Sequence, residues 1–402
     1  MDVKHLVVIG LVIPEPASTA AGHRMMQLIR LFSEANCKVT FLTASNNVEF
    51  SEKIEIQKIE INSESFDEKI RNLNPDLVLF DRYVTEEQFG WRVSEQCPNA
   101  VKIIDTEDLH FLREARRKAF AEKRTLEKKD LTNSIFMREV AAILRCDLSL
   151  IISEFEYNLL VNEFRIDPAI LFYIPFLTEK VEKSTLGFDE RQHFVSIGNF
   201  LHEPNWQTVL KLKQIWKMIR KDLPEAELHI YGAYAGQKVY DLHNEKDGFL
   251  VKGRAESVKE IFENARVLLA PIPFGAGLKG KLWESMQFGL PNVTSPTGAE
   301  AMHKDLPWNG FVADSDEVFA EKAVGLYQDE NRWNEAVQNG YVILKSVYSK
   351  DLFTNSFINK IQQLSTNLEN HRAGNFLGKI LQHHQHQSTK YMSRWIESKN
   401  KK

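Results

Sequence analysis

The chain repeats one pattern along most of its length: a short run of Val, Ile and Leu, then a longer amphipathic segment. Such near-continuous apolar runs are typical of parallel strands covered on both faces. Alternating strands and helices predict an α/β fold built on doubly wound sheets. In the first half of the chain, the predicted strands are residues 5–13, 38–44, 76–81, 101–105, 148–153 and 170–175.

The alternation stops at residues 177–192, which are polar and charged, and then starts again. A 402-residue chain exceeds the size at which a single hydrophobic core keeps growing, so we expect two domains joined by this connector. Beyond Asp314 the sequence predicts mostly helix. The strands predicted for the second domain are residues 193–198, 227–231, 249–252, 266–271 and 292–295.

Composition excludes several classes of protein. With 43% hydrophobic residues, 26% charged residues and a net charge of −4, the chain gives no reason to expect nucleic acid as a partner. The three cysteines are scattered, which favours a reduced, cytoplasmic setting. The first apolar run is short and is followed by Pro-Glu-Pro, unlike a secretory signal. No stretch approaches the roughly 20 apolar residues of a membrane span.

A glycine-rich turn after the fourth strand of the second series carries most of the chemistry. Gly275, Gly277 and Gly280 let the backbone approach a ligand closely and adopt positive φ. The helix predicted to follow presents unpaired N–H groups and the positive end of its dipole, which suit phosphate oxygens. Lys279 and Lys281 add full positive charges.

One turn into that helix, the carboxylate of Glu284 could accept hydrogens from both hydroxyls of a ribose. Phosphates at the helix start and a diol beyond them describe a nucleotide diphosphate. The turn nearly matches an ATPase P-loop but has Leu282 where a magnesium-binding hydroxyl is needed. A dehydrogenase would need G-x-G-x-x-G after the first strand, where Gly10 stands alone. A merely solvated turn stays open as the third alternative.

The run GAGLKGKLWESMQFGLPNVTSPTGAE, residues 275–300, resembles the nucleotide-sugar motif of glycosyltransferase family 4, whose members are retaining GT-B enzymes. In the family, as here, a strand, a glycine turn, a helix with an acidic residue and Gly-Leu-Pro follow one another. The resemblance spans roughly residues 5–350. Further matching positions are Ala21-Gly22, Ser196-Ile-Gly198-Asn199, Pro204-Asn205, Leu228-His-Ile-Tyr-Gly232 and Gly253-Arg254.

The resemblance implies two Rossmann-like domains facing across a cleft, with C-terminal helices. Residues 1–182 would bind the acceptor, residues 183–370 the nucleotide-sugar, and residues 371–402 would form a helix that packs back on the first domain. The implied reaction moves a sugar with retention from a nucleotide diphosphate, UDP- or GDP-sugar, to a glycan or lipid-linked acceptor, with no cofactor and no metal. The residues expected to hold the donor are Gly22, Gly198, Asn199, Arg254, Gly277, Leu278, Lys279, Gly280, Lys281 and Glu284.

The sequence departs from the family pattern at one position. Many members carry two acidic residues separated by seven others; the second matches Glu284, but the first falls at Ala276. We therefore expect other groups, such as the backbone amides of residues 277–280, to contact the donor sugar. The family's basic pair for the diphosphate is not obvious either, and Lys279 and Lys281 are the expected substitutes.

The loop after the strand at residues 101–105 points into the cleft, and the family often places a histidine there, near the donor sugar. His110 is thus the candidate catalytic residue, with Asp105 and Asp108 as alternative polar contacts. A structural alternative is that Asp108 caps a helix beginning at Leu109. Two other functions stay open: a sugar-nucleotide epimerase of the same fold and a non-catalytic GT-B binding protein.

Two segments are candidates for contact with a membrane surface. Residues 113–129 are basic and amphipathic, and the tail from Phe376 is a second amphipathic helix. The alternatives are a solvated, salt-bridged helix for the first segment and packing on the first domain for the tail. His383, His384 and His386 have no cysteine or acidic partners nearby, so we expect no metal there. The predicted location is cytoplasmic, with this candidate peripheral contact at the inner face of the membrane.

Overall fold

Two parallel sheets form the framework of this computed structural model, which describes residues 3–16, 19–45 and 54–400, without the side chains of residues 384–387 and 400. Within that part of the chain, the first sheet contains β1 (His5–Gly10), β2 (Lys38–Thr43), β3 (Glu55–Lys58), β4 (Leu77–Asp81), β5 (Val101–Asp105), β6 (Leu148–Ile151) and β7 (Leu171–Tyr173). The second sheet contains β8 (Gln192–Ile197), β9 (Leu228–Tyr231), β10 (Phe249–Gly253), β11 (Ala265–Ala270), β12 (Asn292–Thr294) and β13 (Gly310–Val312).

Both sheets have the strand order of a doubly wound fold. The first runs β3-β2-β1-β4-β5-β6-β7 and the second β10-β9-β8-β11-β12-β13, with parallel pairing throughout. In each sheet the order reverses beside the first strand, so the chain winds outward in both directions from β1 and β8. Ligands of such sheets bind outside the carboxyl ends of the strands near this reversal. The prediction of two doubly wound domains is confirmed.

Helices cover both faces of the sheets. Those of the first half are α1 (Ala20–Glu34), α2 (Ser65–Leu73), α3 (Arg82–Gln96), α4 (His110–Ala121), α5 (Ser134–Arg145) and α6 (Glu154–Asn158). Those that follow β8 are α7 (Glu203–Asp222), α8 (Gln237–Tyr240), α9 (Val258–Asn264), α10 (Gly280–Gln287), α11 (Pro296–Ala299), α12 (Asp316–Gln328) and α13 (Glu330–Val347). The last three are α14 (Thr354–Thr366), α15 (Leu368–Gly374) and α16 (Phe376–Asn400).

Strand β1 shows why the strands are apolar without interruption. Leu6 and Val8 belong to a core on one face of the first sheet, shared with α1 and α14. Val7 and Ile9 belong to a second core on the opposite face, shared with α2 and α3. Because successive side chains of a strand point to opposite faces, a sheet covered by helices on both sides needs apolar residues at every position.

The chain crosses between the two domains twice, at one place. Thr178 and Ser349 form an isolated parallel bridge, and the Lys350 N–H donates to the Thr178 carbonyl at 3.0 Å. Helix α14 then closes the core on one face of the first sheet with three buried side chains: Phe357, Ile361 and Leu364. Packing on the first domain therefore begins before residue 371, where the sequence suggests the return.

Helix α16 lies against α3 and α5 of the first domain. Arg92 of α3 is buried and donates to Glu397 and, at 3.1 Å, to the hydroxyl of Ser393. Nearer the start of α16, the Gln382 amide donates to the Arg145 carbonyl at 2.9 Å. Polar contacts from both halves of α16 thus join it to the first domain.

Candidate active site

A cleft between the two domains holds a cavity of about 260 Å³. Its first-domain wall is made by the start of α1 and the loop after β5, and its second-domain wall by the loops that follow β8, β9, β10 and β11. The carboxyl ends of strands from both sheets meet there, as doubly wound folds require. Most of the residues predicted from sequence line it: Asp108, Gly198, Asn199, Arg254, Leu278, Lys279, Gly280, Lys281 and Glu284.

The glycine loop, defined here as residues 275–279, joins β11 to α10 and touches the first domain. Gly277 has φ of +61°, and a Cβ added there would lie 2.8 Å from the Cβ of Asp108. A Cβ added at Gly280, the first residue of α10, would lie 2.6 Å from the Cβ of Ala20. Both positions need glycine, one for backbone conformation and both for close approach. Gly277 itself lies behind the cavity lining.

The two lysines are held in place by neighbouring oxygens. The Lys279 ammonium donates to the carbonyls of Ala276 at 3.1 Å and Gly277 at 2.6 Å, inside its own loop. The Lys281 ammonium donates to the side-chain oxygen of Asn205 at 2.8 Å. In the part of the chain that the structure describes, no side chain caps the start of α10, and its first two residues, Gly280 and Lys281, line the cavity.

Burial changes the proton affinities of these groups. It lowers the pKa of Lys279 and of Lys281 to about 8, against the opposing charges of Glu300 and Glu284 respectively. Burial also raises the pKa of Glu284 to about 7, which Lys281 partly offsets. A bound dianion would stabilise both ammonium groups, because it would supply the negative charge that burial denies them.

On the first-domain wall, Asp108 accepts a hydrogen bond from Arg113 at 2.5 Å and lies 3.6 Å from Nδ1 of His110. Burial acts to raise the pKa of Asp108, but Arg113 and His110 outweigh it, so that the pKa is lowered and the carboxylate stays ionised. Nδ1 of His110 also lies 3.1 Å from Glu139. His110 is outside the cavity lining and adjoins the cavity through Asp108.

The structural alternative, in which Asp108 caps the helix after β5, is wrong. The N-cap of α4 is Leu109, and the helix start is bonded by Glu139 of α5. Glu139 accepts from the N–H of His110 at 3.1 Å and of Phe111 at 2.9 Å. Asp108 is therefore left to face the cleft.

Two more predicted residues lie outside the cavity lining. Asp105 is fully buried and accepts hydrogen bonds from Nε of the buried Arg24 at 2.9 and 3.1 Å. Its carboxylate is therefore paired within the first domain. Gly22 lies in the first turn of α1, where a Cβ would come within 2.5 Å of the Glu15 backbone. Its role is to let the chain before α1 cross the helix closely.

Glu156, which the sequence did not single out, joins the two walls. One of its carboxyl oxygens accepts from the Leu109 N–H at 3.1 Å and from the Gly277 N–H at 2.7 Å. Burial and the nearby charge of Asp108 raise the pKa of Glu156 to about 8. The available sequence signal is its place in α6, directly after β6 and at the same sheet edge as Asp108.

Glu107 lies between the predicted Asp105 and Asp108 and lines the cavity. Its φ is +61°, and burial, together with the charge of Asp81, raises its pKa well above the ordinary value. Its carboxyl oxygen lies 3.7 Å from Nε of Arg82. A neutral carboxyl can donate as well as accept, so this group suits a hydroxyl-rich ligand.

An ion pair also links the walls. Arg116 of α4 binds Glu300 of the second domain through two contacts of 2.8 and 2.7 Å and donates to the Gly275 carbonyl at 2.8 Å. The glycine loop is thus held from the first domain by both Arg116 and Glu156.

No group of three or more His, Cys, Asp or Glu residues suited to a metal ion occurs among the described residues.

The second-domain side of this site matches a known family model. Residues 191–329, which span β8 to α12 and include the glycine loop, match the family model described as Glycosyl transferases group 1. No curated protein sequence matches the chain.

Solved structures are similar over nearly the whole chain. Sucrose-phosphate synthase from Thermosynechococcus elongatus is 16% identical with a TM-score of 0.69, over 90% of this chain and 99% of that one. The pneumococcal O-GlcNAc transferase GtfA, in complex with UDP and GlcNAc, is 13% identical with a TM-score of 0.69 over the same shares. Anabaena HepE, in complex with UDP and glucose, is 11% identical with a TM-score of 0.63, over 91% and 100%.

These similarities confirm the GT-B fold that the resemblance implied: two parallel sheets with flanking helices, and further helices at the C-terminal end. Within that fold, the second domain contains the segment that matches the group 1 model, and its glycine loop lies at the cleft. Membership of family 4 stays a prediction. Of the helices that the structure describes, none is both long enough and apolar enough to cross a membrane.

Proposed function

We propose that this chain is a glycosyltransferase that takes a sugar from a nucleotide diphosphate bound in the cleft. One observation carries the proposal: Lys279, Lys281, Glu284 and the start of α10 line a single cavity at the carboxyl edge of the second sheet. The two ammonium groups and the helix start suit the diphosphate, and Glu284 suits the ribose hydroxyls. The group 1 match includes all of these residues.

The chemistry follows from where charge develops. As the bond to the sugar breaks, negative charge collects on the departing diphosphate, where Lys279, Lys281 and the N–H groups of α10 are already fixed. The other wall of the cavity presents Glu107, Asp108 and Arg113 to the acceptor. Holding both substrates in one cavity makes the transfer effectively unimolecular.

The finer assignments extend this proposal. A UDP-sugar is the favoured donor, with GDP-sugar as the second choice, because the similar pneumococcal and Anabaena structures hold UDP. We propose transfer with retention, without a metal, to a glycan or lipid-linked acceptor; the lysines supply the charge that a metal would. In this scheme Asp108 contacts the substrates, and His110 positions Asp108 from behind.

The test measures binding first and turnover second. UDP-, GDP- and ADP-sugars are screened for a rise in Tm, and then for diphosphate release with and without glycan acceptors and with a metal chelator. The variant Lys281→Ala should lose the rise in Tm, whereas Lys252→Ala, an exposed lysine on β10, should keep it. If no nucleotide raises Tm, the proposal fails.

The two alternatives have distinct outcomes. A sugar-nucleotide epimerase would convert the donor into a second sugar nucleotide with no diphosphate released and no acceptor needed. A non-catalytic binding protein would gain stability from a nucleotide and release nothing under any condition. Retention itself is read from the anomeric coupling constant of the product by NMR.

A further inference from the structure

Helix α16 has its polar and apolar sides reversed relative to an ordinary surface helix. The side that faces the first domain is bonded through Gln382, Ser393 and Glu397. The side that faces away carries large apolar side chains that are between 49% and 64% exposed. These side chains are Phe376, Leu377, Ile380, Tyr391, Met392 and Trp395.

The exposed residues lie along one face of the helix. Phe376 and Ile380, and likewise Tyr391 and Trp395, are four positions apart, so each pair stacks on the same side. From the first to the last, the face runs about 28 Å along the helix axis. Clustered exposed apolar surface of this kind marks an interaction site, unlike single exposed residues. We call this face the α16 stripe.

Charge on α16 indicates what the stripe contacts. Within its bounds, four residues are basic and one, Glu397, is acidic, although the whole chain has a net charge of −4. Glu397 is buried against Arg92, so its charge is neutralised inside the protein. Arg394 and Lys399 are exposed, and the Lys399 ammonium lies over Trp395, 4.6 Å from the ring centroid.

A groove between α16 and α3 lies beside the stripe, with a volume of about 290 Å³. Lys379, His383 and Lys390 of α16 line it, opposite Trp91 of α3. Its acidic residue, Glu95, is paired with Lys390. A groove with basic side chains next to an exposed apolar face suits the phosphate of an anionic lipid beside its acyl chains.

We propose that α16 holds the protein on the surface of an anionic membrane, with the α16 stripe inserted at headgroup depth and lipid phosphates at the exposed Lys379, Arg394 and Lys399. The helix lies in the plane of the membrane and does not cross it. This inference is independent of the proposed activity, since it needs neither nucleotide nor acceptor.

A second copy of the chain fits the stripe less well. Helix pairs need apolar contacts along the whole seam and opposite charges beside it. Here the sequence between the two apolar clusters, residues 382–388, is Gln-His-His-Gln-His-Gln-Ser. The exposed flanking charges, Lys379, Arg394 and Lys399, all have one sign, so two copies would repel each other.

The experiment is co-sedimentation of the full chain with vesicles of phosphatidylcholine, alone or mixed with phosphatidylglycerol, at low and high salt. We expect binding only to the mixed vesicles, weakened by salt. The variant Lys379→Glu/Arg394→Glu/Lys399→Glu should bind at least about fivefold more weakly for each positive charge removed. The variant Leu377→Ser/Tyr391→Ser/Trp395→Ser should lose binding with an unchanged Tm.

The control variant is Val342→Ser/Leu352→Ser, which removes side chains of similar exposure far from α16 and should bind as the parent does. Brominated lipids should quench tryptophan emission in the parent and not in Trp395→Phe. The proposal is overturned if the parent ignores anionic vesicles, or if the serine variant of the stripe still binds them. It is equally overturned if the parent is a dimer that the stripe variant makes monomeric.

Discussion

At the scale of single residues, the cleft contains ionisable groups that burial has brought close to neutrality. Lys281 and Glu284 lie one turn apart on α10, and burial moves the pKa values of both toward 7 or 8. Near neutral pH, these two side chains therefore leave the empty site with little net charge. A diphosphate can therefore restore full charge on the lysines when it binds.

The pH dependence of donor binding follows from these values. Glu284, with a pKa of about 7, must be ionised to accept the ribose hydroxyls, so affinity should rise as pH passes that value. Lys281, with a pKa of about 8, must be protonated, so affinity should fall above it. Calorimetry with a UDP-sugar across pH should give a narrow bell. Glu284→Gln should abolish the acidic limb and move the basic limb to lower pH, because the charge of Glu284 raises the pKa of Lys281. An acidic limb that persists contradicts the assignment.

Glu156 gives a second prediction, on stability. Its pKa is about 8 in the folded protein and about 4.5 when exposed, so unfolding releases a proton between these values. Its contribution to stability is complete below the lower value and is lost as the pH rises through the upper one. Glu156→Gln cannot ionise, so it does not lose this contribution. The difference in Tm between the variant and the parent should therefore shift in favour of the variant as the pH rises from about 5 to about 8. Glu154→Gln, on the exposed side of α6, is the matched control variant.

At the scale of elements, the glycine loop is fixed from outside its own domain. Gly277 is bonded by Glu156, and Gly275 is bonded by Arg116. The loop therefore has its shape only when the two walls of the cleft are together. The positions of most strands and of this loop were readable from local sequence, but these contacts join residues more than 100 positions apart.

Gly277→Ala should damage the loop in two ways. Alanine at φ of +61° is strained by about 1–3 kcal/mol, and its Cβ would collide with Asp108 across the cleft. We expect donor affinity to fall with the cleft held open, measured by calorimetry and by small-angle scattering. Gly236→Ala is the matched control, since nothing lies within 4 Å of a Cβ there. Equal affinity in the two variants would show that the loop adapts.

Sequence reasoning found the buried strands and missed two edge strands. β3 is polar, reading Glu-Ile-Gln-Lys, and β13 has only three residues. Both lie at sheet edges, where one side of the strand has no neighbour and apolar runs are not required. At the site, charge and glycine spacing revealed the α10 residues. Glu156 could not be recognised, because its importance depends on Leu109 and Gly277 being brought to it by the fold.

At the scale of the whole molecule, a bidentate ion pair between Arg116 and Glu300 joins the two domains across the cleft. We expect Arg116→Ala and Glu300→Ala to weaken donor binding and the double variant to weaken it less than their sum. The coupling energy should be about 1 kcal/mol, since both side chains are partly exposed. Arg117→Ala, whose arginine pairs with Glu114 within α4, should leave binding unchanged. If the effects of the two single variants simply add in the double variant, the pair does not contribute to donor binding.

The double crossing at Thr178 and Ser349 makes the second domain an insertion in the first. A ribosome therefore completes the whole second domain before it makes α14, whose Phe357 and Ile361 close the core of the first. The usual order of folding during synthesis, N-terminal domain first, is reversed here. Until α14 emerges, this face of the first sheet is covered by α1 alone, and the apolar surface that α14 later buries is open to chaperones.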